Sequence, residues 1–221
     1  MNRSINILLG VVLFPTMLVT IYVGFDLPIE FLKVSGNQLP YKEEILLGLG
    51  VLLLTLILRR SARRWMGMRI VNQTARFKWN HVVSKERKSR VQTYLGLEAL
   101  VMFCMAFALY TVSPKAFIPA LAFLFGTIDN IVFAIVGSKN KYRVGLSSKA
   151  LIVADREVTF LYFTGLRKIS MHQQTIYFDY IKELQLSFPA DCIPVEERPA
   201  FYKMLEAQVD PERVFFSKSM N

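Results

Sequence analysis

The 221-residue sequence has few residues of the types that perform chemistry. It contains two histidines, and neither His81 nor His172 has a carboxylate or cysteine at the spacing of metal ligands. Its two cysteines, Cys104 in an apolar run and Cys192 in the polar tail, do not suggest a disulfide or a metal site. A nucleophile motif, a glycine-rich phosphate loop and paired acids are also missing. These absences argue against an enzyme, a cofactor and a metal centre.

Acidic residues are nearly absent from residues 59–92, where eleven Lys and Arg residues accompany one acid, Glu86. The segment therefore carries a charge of +10, which equals the net charge of the whole chain. Apolar stretches flank it, and positive charge in a short loop between membrane spans marks the cytoplasmic side. Membrane orientation and anionic lipid explain this charge better than a nucleic-acid partner, which is not expected.

Charge is also scarce in four long apolar runs, which predict transmembrane helices at about 5–25, 42–60, 93–112 and 116–137. The first run has 21 uncharged residues, enough to cross about 30 Å at about 1.5 Å per residue. A signal peptide is the alternative for this run. The second run is uncharged over only 14 residues, and we expect the stems of Arg59 and Arg60 to extend it.

Four spans place both termini on the same side of the membrane. Three basic residues directly follow the last span and repeat the cytoplasmic signature: Lys139, Lys141 and Arg143. The sequence therefore predicts a multi-pass inner-membrane protein with cytoplasmic N- and C-termini.

Beyond residue 138 the pattern changes to short β-type runs separated by turn residues. The predicted strands are residues 142–147, 150–154, 157–164, 175–179 and 181–188. A helix is predicted over residues 196–208, with Phe201, Met204, Leu205 and Gln208 on one face. It is expected to cover the apolar face of the sheet. The predicted fold is thus a four-helix membrane domain (1–138) followed by a small cytosolic α+β domain (139–221) with an antiparallel sheet and a C-terminal helix.

Two stretches of the tail carry a family resemblance: YRVGLSSKALIV at residues 142–153 and TIYFDYIKEL at residues 175–184. They resemble bacterial multi-pass membrane proteins with a C-terminal pleckstrin-homology-like (PH-like) domain, in which similar strands follow a hydrophobic hairpin. The resemblance implies a PH-like sheet in the tail. Because few residues follow Phe188 before the final helix, the resemblance implies a truncated or divergent PH-like module.

Three polar residues in the predicted spans form a candidate intramembrane site: Glu98, Asp129 and Asn130. Ionisable groups at membrane depth are costly and often functional. Both acids fall in the inner leaflet, where they could face each other and share a proton or bind a cation. In the alternative interpretation Glu98 meets Arg90 or another base of the basic segment, and Asp129 and Asn130 hydrogen-bond neighbouring helices.

Apolar residues of the basic segment recur at three- and four-residue spacing and predict an amphipathic helix: Trp65, Met68, Ala75, Trp79 and Val82. This helix would lie on the membrane surface, or would extend the second and third spans and pack against the tail. The acids of the tail could dock on the basic segment, or could form a solvated face, which is the commoner explanation of such a run: Asp191, Glu196, Glu197, Glu206, Asp210 and Glu212.

These patterns together predict a non-enzymatic membrane anchor that presents the basic loop and the PH-like domain to anionic lipid headgroups, to a protein partner or to another copy of itself. The candidate lipid or partner contacts are Arg63, Arg64, Trp65, Arg69, Arg76, Lys78, Trp79, Lys85, Arg87, Lys88 and Arg90. The alternative hypothesis is a small oligomeric transporter or channel component in which Glu98 and Asp129 couple transport to protons or cations.

Overall fold

The computed structural model of the chain describes residues 2–29, 33–210 and 214–217. It divides into two compact units. We call residues 1–62 and 94–133 the helical unit, and residues 63–93 and 134–221 the strand-rich unit. The predicted division at residue 138 is therefore only approximate, because residues 63–93 belong with the tail.

Four helices of the described residues are long and apolar enough to cross a membrane, as predicted. They are α1 (Asn2–Gly24), α2 (Lys42–Val71), α3 (Lys85–Val112) and α4 (Phe117–Val136). Two short paired strands, β1 (Pro28–Ile29) and β2 (Val34–Ser35), lie between α1 and α2. The core of the helical unit includes Leu46, Leu53 and Phe123, which are all buried.

Helix α2 is longer than predicted. The sequence indicated a span ending near residue 60, but the helix continues to Val71 and has 30 residues. Arginine is a good helix former, so the five arginines after Leu58 prolong the helix. The side-chain amide of Asn80 donates to the carbonyl of Val71 at 2.8 Å and satisfies one of the last carbonyls.

The predicted amphipathic helix over residues 65–82 is wrong. Trp65 and Met68 lie in α2, Ala75 lies in a 3-10 turn, and Trp79 and Val82 belong to strand β3 (Trp79–Val82). Strand β3 pairs antiparallel with a strand of the tail, with Trp79 opposite Leu146. This long-range pairing overrides the local helical spacing.

Among the described residues, the strand-rich unit contains two four-stranded sheets. The first sheet is antiparallel in the order β3-β4-β5-β6, with β4 at Arg143–Leu146, β5 at Ala150–Ala154 and β6 at Val158–Tyr162. The second has the order β10-β7-β8-β9, with β7 at Leu166–His172, β8 at Thr175–Tyr180, β9 at Gln185–Pro189 and β10 at Phe215–Phe216. Strands β7, β8 and β9 are antiparallel neighbours, and β10 pairs parallel to β7. Helix α5 (Arg198–Gln208) follows β9.

Three of these strands, β3, β7 and β10, were not predicted from the sequence, and one predicted strand began too early. Strand β3 precedes the third helix, so a search of the tail could not find it. Strand β7 carries adjacent exposed basic residues, Arg167 and Lys168, which weaken its alternation. The run predicted at 181–188 opens with a 3-10 turn, Ile181–Glu183, before β9.

Both faces of the first sheet are covered. On one face the end of α2 packs against β5 and β6, where Val71, Ile152 and Val158 are buried together. A Cβ atom on Gly67 would overlap the Val158 side chain, so glycine permits this close approach. On the other face Trp79 contacts Phe201 of α5, with ring centroids 5.1 Å apart. The prediction that the C-terminal helix covers the sheet is confirmed.

Candidate functional site

The helical unit contains a buried ion pair between α2 and α3. The guanidinium of Arg60 donates two hydrogen bonds to the carboxylate of Glu98, and the bond from Nη2 to Oε2 measures 3.0 Å. The two side chains are only 7% and 16% exposed. A bidentate pair of this kind offsets part of the cost of burying each charge.

Asp129 is bonded to the same stretch of α2. The hydroxyl of Ser61 donates to Oδ1 of Asp129 at 2.7 Å, and Asp129 is buried. Because Arg60 and Ser61 are consecutive residues, the two acids meet α2 at the same level of the helix. Asn130 is also buried, and its amide nitrogen lies 3.6 Å from the sulfur of Met102.

The structure thus joins each predicted intramembrane acid to a neighbouring helix. The base that meets Glu98 is Arg60, which is one of the bases of the basic segment that the alternative interpretation allowed besides Arg90. Arg60 and Glu98 are 38 positions apart, so no local pattern signals their pairing. We call Arg60, Ser61, Glu98 and Asp129 the polar layer.

A second charged cluster lies in the strand-rich unit and joins the start of α3 to the tail. Arg87 donates from Nε and Nη2 to Oδ2 of Asp155 at 2.9 and 2.7 Å. Arg90 Nη1 lies 2.9 Å from Oδ2 of Asp191, and Arg87 Nη1 lies 3.8 Å from Oδ1 of the same carboxylate. The backbone N–H of Ser84 also donates to the carbonyl of Cys192 at 3.3 Å. We call Arg87, Arg90, Asp155 and Asp191 the clasp.

The clasp bears on the prediction that acids of the tail dock on the basic segment. This prediction is confirmed for Asp191, and Glu197 also lies 3.8 Å from the imidazole of His81. Glu206 and Asp210 are exposed, and Glu212 lies outside the described residues. Asp155 was not predicted, because its partner is 68 positions away.

Cys192 is a buried thiol beside the clasp, with its sulfur 3.8 Å from Oδ2 of Asp155. Burial raises the pKa of this thiol well above its ordinary value, and the nearby carboxylates of Asp155 and Asp191 raise it further, against the opposing charge of Arg87. The thiol is therefore held in its protonated form, which is a poor nucleophile.

The raised pKa of Cys192 predicts that the free energy of unfolding falls at alkaline pH. The unfolded chain loses the thiol proton near its ordinary pKa of 9.0, whereas the folded protein keeps it. Above pH 9 folding therefore requires proton uptake, and the free energy of unfolding should fall by about 1.4 kcal/mol per pH unit from this group. Thermal denaturation of the full chain in detergent between pH 8 and pH 10 measures the decline.

The matched control is Cys192→Ala, which removes the titrating group and should give a shallower decline over the same range. Parallel declines in the two proteins would contradict the assignment to Cys192.

The predicted lipid or partner contacts fall into two groups. Arg69, Arg76, Lys78, Lys85 and Arg90 are exposed, whereas Arg63, Arg64, Trp65, Trp79, Arg87 and Lys88 are buried or half-buried. Trp79 is half-buried and packs against Phe201. Of the exposed members, Arg90 is paired with Asp191 in the clasp, which leaves Arg69, Arg76, Lys78 and Lys85 as the exposed bases outside it.

The two units differ sharply in charge. The helical unit contains six basic and six acidic residues, while the strand-rich unit contains twenty-one basic and eleven acidic residues. The whole net charge of +10 therefore belongs to the strand-rich unit. Such a surface attracts anionic partners.

Within the part of the chain that the structure describes, no group of three His, Cys, Asp or Glu residues could hold a metal ion. Comparisons with protein-family models, with curated proteins and with solved structures find no match for this chain.

Proposed function

We propose that the protein is a non-enzymatic membrane anchor and interaction protein. Its four apolar helices would hold it in the inner membrane with both termini in the cytoplasm. There the strand-rich unit would be presented to anionic lipid headgroups or to a protein partner, including a second copy of the chain.

The distribution of charge carries this proposal. The apolar helices lie mainly in a unit with no net charge, and the other unit carries the whole net charge of +10. Basic residues near membrane spans are retained in the cytoplasm, where the inner leaflet is anionic. Each Lys or Arg near such a surface contributes about 1 kcal/mol to binding.

The order of strands supports the PH-like resemblance of the tail. An antiparallel sheet of four strands, β3 to β6, is followed by three antiparallel strands, β7 to β9, and by α5. Helices α3 and α4 form the connection between the first two strands of this series. Because β3 lies before α3, a fragment that begins at residue 139 would lack one strand of the first sheet, so experiments need the full chain.

The proposal is tested by the lipids that the full-length protein retains. Protein purified in mixed micelles of phosphatidylglycerol and phosphatidylcholine is analysed by native mass spectrometry, and retention of the anionic lipid is expected to dominate. A reporter fused to the C-terminus should be active in the cytoplasm. Equal retention of both lipids, together with no co-purifying protein and no self-association, would overturn the proposal, as would a C-terminus outside the cytoplasm.

The polar layer favours a second candidate, a small oligomeric proton- or cation-coupled transporter or channel component. Glu98 is half-buried and Asp129 is buried, and both lie on helices long enough to cross a membrane. The hydrogen bonds from Arg60 to Glu98 favour a structural role for Glu98 over a role in transport. Flux measurements in reconstituted vesicles distinguish the two functions. If Glu98→Gln and Asp129→Asn stay folded but lose proton- or cation-dependent flux, the transporter hypothesis replaces the anchor hypothesis.

A further inference from the structure

The segment that follows α4 forms a tight turn at Gly137–Lys141, which the function proposed above does not explain. Asn140 adopts a left-handed conformation, with φ of 60°, and reverses the chain there. Lys139 and Lys141 on either side of it are exposed. The turn therefore displays two ammonium groups at the surface of the strand-rich unit.

Hydrogen bonds from two other helix ends hold this turn. The ammonium of Lys88, at the start of α3, lies 3.1 Å from Oδ1 of Asn140. The amide of Asn72, just after α2, donates to the carbonyl of Lys141 at 2.9 Å. The next residue, Tyr142, is fully buried. The turn is thus preorganised by three chain segments, which lowers the entropy cost of binding a ligand to it.

Charged side chains of both signs lie near the turn. Arg69, one helical turn before Asn72, is exposed. Lys85 and Lys88 line a cleft of about 570 Å³ beside Asn140, which also contains Glu86 and Glu196. The charges in the cleft are therefore mixed, and Lys139 and Lys141 lie outside its lining. These two lysines are the groups best placed for an anionic ligand.

The position of the turn along the chain identifies the ligand. Lys139 and Lys141 follow the last apolar residue of the predicted fourth span by two and four positions. The headgroup region on each side of a bilayer is roughly 5–8 Å thick, the distance that a few residues cover. Residues at this depth meet phosphate groups, and an ammonium group binds phosphate by charge and hydrogen bonding.

We infer that the turn Gly137–Lys141 is a binding site for the phosphate of an anionic lipid headgroup, with Lys139 and Lys141 as its ligands. The inference rests on the proposed function and locates its lipid contact at one turn. The contact expected from the sequence was an amphipathic helix at residues 65–82, which the structure replaces by part of α2 and by β3.

The test compares phosphatidylglycerol binding by three full-length proteins in detergent, followed by native mass spectrometry. We expect Lys139→Gln/Lys141→Gln to bind the lipid about thirtyfold more weakly than the unaltered protein, from the loss of two cationic contacts. The control is Arg167→Gln/Lys168→Gln on β7, which removes the same charge from exposed positions in the second sheet. Its affinity should stay within threefold of the unaltered protein.

The outcomes test the turn as a lipid-binding site separately from the proposed function of the protein. If the unaltered protein prefers phosphatidylglycerol and the turn variant keeps that affinity, the turn is not the site, although the proposed function stands. Equal losses in the two variants would show that net charge, and not the turn, determines binding, and would also overturn the inference. If the unaltered protein has no preference for the anionic lipid, lipid recognition itself fails and a protein partner becomes the better explanation.

Discussion

Replacing Asp155 with Ala is expected to lower the free energy of unfolding of the strand-rich unit by about 2–4 kcal/mol. The carboxylate is buried and accepts two hydrogen bonds from Arg87, and Oδ1 also accepts from the backbone N–H of Glu157 at 3.3 Å. Its loss leaves the half-buried guanidinium with only the 3.8 Å approach of Asp191 in the clasp. Thermal denaturation of the full chain in detergent, monitored by circular dichroism in the β region, measures the change.

A matched control for this prediction is Asp179→Ala. Asp179 accepts one exposed hydrogen bond, from the side chain of Gln185 at 2.7 Å, so its removal should cost less than about 1 kcal/mol. Comparable losses of stability in the two variants would show that the clasp contributes no more than an exposed contact. The tail would then be held to the start of α3 by apolar packing alone.

Replacing Glu98 with Ala is expected to destabilise the helical unit by about 3–5 kcal/mol. The substitution leaves the buried guanidinium of Arg60 without its bidentate acceptor. The cost of an uncompensated buried charge exceeds the value of the pair itself, because most of the penalty is desolvation. Size-exclusion chromatography after heating in detergent reports the fraction that stays folded.

The double variant Arg60→Leu/Glu98→Leu tests whether charge compensation is the cause. Replacing both partners by apolar residues of similar length removes both buried charges, so most of the lost stability should return. A double variant as unstable as Glu98→Ala would contradict this account. Arg60 or Glu98 would then have a role beyond compensating the charge of the other residue.

The apolar helices and the sign of the charge could be predicted from the sequence because both are properties of continuous stretches. Four runs with little charge became four helices long enough to cross a membrane. The helix at Arg198–Gln208, with Phe201 and Leu205 buried, was also recognisable, since its periodicity is local.

The candidate sites could be predicted only in part. Glu98 and Asp129 were recognisable as ionisable residues in apolar runs, but their partners Arg60 and Ser61 lie 38 and 68 positions away. The spacing of Trp79 and Val82 suited a helix, yet both residues belong to a strand because the backbone of β4 lies beside them. A short segment with weak local preference adopts the structure that its tertiary neighbours stabilise.

The sequence by itself determined that this protein has four apolar helices, a strand-rich tail and a charge of +10 concentrated in residues 59–92. These features follow from hydrophobicity and charge summed over contiguous residues. Only the tertiary structure decided that residues 63–93 fold with the tail, that Asp155 and Asp191 hold Arg87 and Arg90, and that Lys88 and Asn72 bond to the turn at Gly137–Lys141. These contacts join distant residues, and their free energy depends on burial and geometry that arise only when the chain is folded.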